Sequence, residues 1–175
     1  VPHAGENLFA GQAFAVDLSG EFSSIIEKQN AVIVYLGAQS KGSRAKNLQA
    51  LDHKFADVKK ALATQKDKED KEQKSNELVI HALLAGEKPL LAYANRATDL
   101  LALLALKKKY GIDLVLVGAS DAVLVSKEIA AANVPVILSS IDNLPSSFDS
   151  LHASLGNMAK LAQAGVKIIL SPKGG

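Results

Sequence analysis

The sequence predicts an α/β fold in which βα units repeat along a parallel sheet. Three observations carry this. Short apolar runs of strand length recur through the second half of the 175-residue chain. Amphipathic stretches with helix start and stop signals separate them. The connections between them are short, which favours parallel strands with right-handed helical crossovers.

The second half is the more regular. KPLLAYA, Lys88 to Ala94, is an apolar run introduced by Pro89, and such a run suits a strand buried on both faces. Thr98 is expected to N-cap the next helix, with Asp99 in its first turn. Leu100, Leu101, Leu103, Leu104 and Leu106 form its apolar stripe, Lys107 to Lys109 complement the dipole of its last turn, and Gly111 stops it. DLVLVGA, Asp113 to Ala119, is the next strand. Ser120 or Asp121 is expected to cap a helix running to about Ala132. VPVILSS follows as a strand, then the polar loop IDNLPSSFD, a helix near Ser150 to Ala164, Gly165 as its stop, and the strand VKIIL.

The first half is less regular. AFAVDLS, Ala13 to Ser19, reads as a strand with alternating faces, and NAVIVYLG, Asn30 to Gly37, as a strand or a short buried helix. Ser43 to Thr64 has helical periodicity through Leu48, Leu51, Phe55, Val58 and Leu62, and a second helix is expected over Ser75 to Leu84. Between them, residues 64–76 form a charged helix or loop. Its KDKEDKEQK stretch mixes both signs and reads as a solvated face. All of this fits one α/β domain over residues 1–175.

Composition excludes several classes. Hydrophobic residues are 48% and charged residues 22%, and the net charge is +2, so nothing marks a nucleic-acid binder. The absence of cysteine removes disulfides, thiolate zinc sites and cysteine nucleophiles. No apolar run is long enough to span a bilayer, and VPHAGEN is not a signal peptide. The compartment, periplasm or cytoplasm, is left open. The chain opens without an initiator methionine and ends SPKGG directly after a strand-like run, so both ends are expected to be cuts or processing points in a longer protein. Neither GxGxxG nor a Walker loop occurs.

Candidate ligand-binding residues cluster just beyond the predicted strand ends. Tyr93 closes the first strong strand, and Asn95 and Arg96 follow it. Arg96 can bind a carboxylate bidentately, or pair with Asp99. Ser120 follows the next strand, beside Asp121, and both suit a helix cap. Asn143 lies in IDNLP, where its side chain can bind a ligand or close an Asx-type turn. Asp142 and Asp149 form no recognisable catalytic carboxylate pair. His3 lies near the start, His53 and His81 on predicted helices, and His152 near the start of another. None has metal-ligand spacing, and each is expected to be structural. No cofactor is evident in the chain.

Several stretches resemble the amidohydrolase superfamily, and within it the imidazolonepropionase-like group. They are KPLLAYANRATDLLALLAL, LVLVGASDA, NVPVILSSIDNLPSSFDSL, NMAKLAQAGVKIILS and, near the start, GENLFAGQAFAVDLSG. The resemblance implies part of a TIM-barrel-like (β/α)8 metal-dependent hydrolase fold, with a metal site at the C-terminal strand ends. Such a site uses zinc or another divalent metal to activate water and polarise a carbonyl. Its implied ligands are a His-x-His pair, a carboxylate or carboxylated lysine, two later histidines and a final aspartate. By motif, Tyr93 stands nearest the place of one later histidine. Gly118, Ala119 and Ser120 stand at the end of the strand bearing the other. Ser171 and Pro172 stand where the aspartate is expected.

The resemblance implies that a complete parent hydrolyses a C–N bond of a small or cyclic amide. The chain alone is expected to lack that activity. The alternative is a non-catalytic protein that binds a small anion at the strand ends, or serves assembly. An incomplete barrel leaves open sheet edges, so a homo-oligomer, or pairing with missing segments of the same protein, is expected.

Overall fold

A computed structural model of the chain describes residues 8–16, 25–37, 40, 43–63, 75–139 and 148–171. The expectations for His3, Asp142, Asn143, Pro172 and the charged stretch 64–74 lie outside these residues.

Six strands form one sheet: β1 (Gly11–Val16), β2 (Ile25–Tyr35), β3 (Leu90–Ala94), β4 (Leu114–Gly118), β5 (Val136–Ser139) and β6 (Ile168–Ser171). Their order in the sheet is their order in the chain. β2 to β6 are parallel neighbours. The sequential order, with no reversal point, gives a curled half-barrel sheet.

β1 departs from the expected all-parallel pattern. It runs antiparallel to β2, with irregular register between Ala13 and Val16. It begins two residues earlier than expected, and residues 17–19 of the expected strand are outside the described part. NAVIVYLG is a strand, not a buried helix, and belongs to the longer β2. No described helix separates β1 from β2, as a parallel crossover would require.

Five helices accompany the sheet: α1 (Arg44–Ala63), α2 (Ser75–Leu84), α3 (Ala97–Tyr110), α4 (Ser126–Ala131) and α5 (Asn157–Gln163). A short 3-10 turn, Ala122–Val125, precedes α4, and another, Phe148–Ser150, lies well before α5. The helix expected near Ser150 to Ala164 is therefore shorter than its pattern suggested. Turns at Leu151, His152, Leu155 and Gly156 occupy its first part. Among the described residues no helix is long and apolar enough to cross a membrane.

The core lies on one face of the sheet. Val32, Val34, Leu90, Ala92, Leu116 and Val136 are fully buried against helix residues that include Leu51, Phe55, Leu83, Leu100, Leu103, Ile129 and Leu161. Each of these side chains larger than alanine contributes roughly 1.5–3 kcal/mol on burial. The alternate residues Ile33, Tyr35, Leu91, Tyr93, Val115, Val117 and Ile137 are only half-buried. The expectation of strands buried on both faces is thus corrected, since the helices cover one face and leave the other partly open.

Helix ends follow the sequence signals unevenly. Gly111 stops α3 at φ +73°, its N–H donating to the Lys107 carbonyl at 2.8 Å. Thr98 does not cap α3. The helix starts at Ala97, and Arg96 at the cap position provides no side-chain bond. The Ala97 N–H donates instead to Asp121 Oδ2 at 3.1 Å, a carboxylate from the following βα connection. Asp121 accordingly does not cap its own helix by a side-chain bond, and the Ser120 hydroxyl donates instead to Asn95 Oδ1.

Candidate functional site

The parallel strands bring their C-terminal ends to one side of the sheet, where barrel folds place functional residues on the following loops. Cα register sets Tyr35 opposite Tyr93, Tyr93 opposite Val117, Val117 opposite Ile137, and Ile137 opposite Ile169. This row crosses the half-covered face near the strand ends. Its polar groups are two phenols, whose rings lie 4.6 Å apart between centroids and are tilted by 39°. Neither hydroxyl hydrogen-bonds to another described residue. Burial, and then the neighbouring Tyr93, push the Tyr35 phenol above its ordinary range.

Above the row, the β3 and β4 ends are locked together through the backbone. Ala119 N–H donates to Ala94 O at 2.9 Å, and Asp121 N–H to Asn95 O at 2.8 Å. Asn95 Oδ1 accepts from the Ser120 hydroxyl at 3.2 Å and lies 3.4 Å from the Ser120 N–H. Two of the candidate ligand-binding residues are therefore tied to one another through Asn95 Oδ1 and the Ser120 hydroxyl. Gly118 makes the approach possible. It sits at φ +84°, and a Cβ there would stand 2.8 Å from Asn95 Oδ1.

Arg96 has a different environment. It is exposed, its carbonyl accepts from the Asp99 and Leu100 N–H groups at 3.0 Å, and its guanidinium makes no hydrogen bond or ion pair with another described residue. The expected pairing with Asp99 does not form. Asp99 is 3% exposed and takes its ion pair from Arg44, whose Nη1 donates to Asp99 Oδ2 at 3.0 Å. Arg44 Nη2 also reaches both oxygens of Asp149. One guanidinium thus joins the first turn of α1, the first turn of α3 and the connection after β5. Burial raises the Asp99 carboxyl above the usual carboxylate range, with Arg44 opposing that rise.

Asp121 holds a second junction. It is 9% exposed. One oxygen caps α3, as described above, and the other meets His152 Nδ1 at 2.8 Å. The His152 carbonyl accepts from Asn157 Nδ2 at 2.7 Å, which fixes the turn before α5. His152 is therefore not an outer-ring helix residue but a partner of the β4 strand-end loop. His53 and His81 are exposed on α1 and α2, as expected.

Among the described residues the strand-end donor set does not fit a metal centre. Among the described residues no three His, Cys, Asp or Glu side chains converge on a point. The neighbours of Tyr93 in the row are a phenol and aliphatic groups. On β4 it is Val117 that stands level with Tyr93, one residue before the Gly118–Ser120 end named by motif. Ser171, at the end of β6, supplies a hydroxyl where a carboxylate was expected.

Sequence reasoning missed Tyr35, Arg44, Asp121 as a junction, and the tie to His152. Tyr35 was within reach, since it closes NAVIVY as Tyr93 closes LLAY. The ion pairs were not, because they join residues 55 and 105 positions apart.

No protein-family model matches the chain, and a comparison with curated proteins finds no match. The fold resembles a crystal structure of an amidohydrolase from Thermotoga maritima, with a TM-score of 0.82 and 22% sequence identity. The likeness covers 94% of this chain and 47% of that one. The chain thus spans about half the length of the structure it matches, and at this identity the likeness shows a shared α/β half-barrel fold.

Proposed function

We propose that the chain is part of an amidohydrolase-like protein of the imidazolonepropionase-like type, whose whole hydrolyses a C–N bond of a small or cyclic amide. In this reading the strands described here supply part of the substrate-facing wall and not the metal ligands. The observation that carries it is the row Tyr35–Tyr93–Val117–Ile137–Ile169, set at the strand ends of a half-barrel that superposes on an amidohydrolase. Such a wall positions a planar amide by contact with phenol faces and aliphatic groups, and it supplies two phenol donors. By itself it activates no water through a metal. The test is hydrolysis of a lactam and an imidazolone by this chain, with and without chelator. The reading predicts no chelator-sensitive turnover. Turnover lost with chelator and restored by zinc would overturn it.

One observation favours a second reading, that the strand ends bind a small anion without catalysis. Arg96 is exposed just beyond Tyr93, while the buried carboxylate beside it is already matched by Arg44. An unpaired guanidinium there is placed to take a carboxylate in a bidentate bond. Amide chemical-shift changes on adding succinate should centre on residues 93–97 and vanish in Arg96→Ala. Shifts that persist in that variant would discard the reading.

A further inference from the structure

The His152–Asp121 pair has a geometry that structural tethering alone does not require. A carboxylate oxygen accepts, so the 2.8 Å contact assigns the proton of a neutral His152 ring to Nδ1, which donates to Asp121 Oδ1. The second carboxylate oxygen is held by the Ala97 N–H at the start of α3, and the Asp121 N–H is held by the Asn95 carbonyl. The carboxylate therefore has little freedom to turn. The backbone that carries the ring is held by the buried Asn157, whose Nδ2 donates to the His152 carbonyl. Yet the ring is not enclosed, because 51% of the His152 side chain is exposed. Nε2 is thus left with its lone pair, no described partner and an open approach. A base whose orientation and tautomer are fixed by a buried carboxylate is the arrangement that general-base chemistry needs.

We propose that His152 is a proton acceptor for metal-independent hydrolysis of small acyl esters with acidic leaving groups, and that Asp121 is its positioning residue. Nε2 takes a proton from water as the water oxygen bonds to the acyl carbon. The tetrahedral intermediate then expels the leaving group as its C–O bond breaks. The proton returns from Nε2 to the departing oxygen, and an acid and an alcohol result. No metal, oxidant or second cofactor enters the balance. The proposal stands apart from the amide-hydrolase reading, and a chelator separates the two.

The experiment uses the 175-residue chain with 4-nitrophenyl acetate in the presence of EDTA. His152→Gln is expected to lower the chelator-insensitive rate by at least about tenfold, the lower side of what a general base contributes. His53→Gln and His81→Gln, which remove exposed imidazoles that make no hydrogen bond to a described carboxylate, should leave it unchanged. In His152→Ala, added imidazole should raise the rate beyond the sum of the variant's own rate and that of imidazole without protein, an excess that a purely structural loss would not give. Ring 15N shifts should show His152 protonated on Nδ1 in the wild type and a mixed tautomer in Asp121→Asn. This readout is independent of activity and holds even if that variant is less stable. A His152→Gln rate within about twofold of wild type, or a wild-type ring protonated on Nε2 alone, overturns the proposal.

Discussion

Arg44 and Asp99 stand 55 positions apart in the chain and meet at 3.0 Å, with Asp99 almost wholly out of water. Their pairing binds the N-terminal turn of α1 to that of α3 and leaves the Arg96 guanidinium without an ion pair to a described residue. Arg44→Met should therefore strand a buried carboxylate. The expected loss is about 2–3 kcal/mol, below the ~3–5 kcal/mol of a fully buried pair because Arg44 keeps part of its side chain in water. A shift in the urea midpoint with unchanged slope would measure it.

The same pair has a pH signature. Asp99 is raised in the folded state by burial, so its contribution is fully present below the ordinary carboxylate range and is lost as pH rises through its folded value. Removing Arg44 removes a cause that lowers Asp99, so the folded carboxyl rises further. The difference between wild type and Arg44→Met should be greatest near neutrality and shrink on acidification. Urea midpoints at several pH values test this, and a difference that grows in acid would contradict it.

How much of this was legible in the sequence depends on the range of the interaction. The β3–α3–β4 unit was readable because Pro89, the leucine stripe and Gly111 act within a few residues of the structure they set. The α2 limits were readable for the same reason. The cap of α3 was not, since the donor at Ala97 is met by Asp121 from the next loop, 24 positions on. The covered and open faces of β3 could not be told apart either, because LLAYA is apolar on both. What covers a strand is decided by helices elsewhere in the chain. Among the candidate residues, the strand-end position of Tyr93 was legible from LLAYA, whereas the engagement of Asn95 with Ser120 depends on the Gly118 backbone.

Gly118→Ala should be costly for two separable reasons. Its φ of +84° strains any residue with a Cβ by about 1–2 kcal/mol. The added carbon would also meet Asn95 Oδ1 at 2.8 Å. In an Asn95→Ala background only the first cost remains, so the two changes should be less than additive, with a coupling of about 1 kcal/mol. A double-mutant cycle by chemical denaturation reads that coupling. Strict additivity would mean that Asn95 swings aside without loss.

Tyr110 seals α3 against α1. Its ring lies 5.2 Å from that of Phe55, and its hydroxyl is 2.9 Å from both the carbonyl and Oδ1 of Asp52. Tyr110→Phe keeps the ring and removes the donor, so a loss of about 0.5–1.5 kcal/mol is expected. Lys109, then Tyr110, hold the Asp52 carboxyl below its ordinary range. That stabilisation is present above the ordinary carboxylate range and is lost as pH falls through the lowered value. Lys109→Met should therefore cost less than Tyr110→Phe, and its effect should fade in high salt because the ammonium is at the surface. Melting temperatures at low and high salt compare the two.

Metal addition provides the sharpest check on the strand-end chemistry. A site that bound zinc only in the folded state would add about 2.7 kcal/mol at a metal concentration 100-fold above its Kd. For a chain of this size that is a rise of roughly 5–10 °C in Tm. The row through Tyr93 offers two phenols among aliphatic side chains, and among the described residues no set of three ligating groups converges. Zinc and EDTA should therefore each leave the Tm within about 1 °C of the untreated value, well short of that rise. Tyr93→His should not change this result, because one imidazole beside Val117 and Tyr35 still lacks companion ligands. A saturable Tm rise in the wild type would instead mean that ligands converge from parts of the chain outside the described residues.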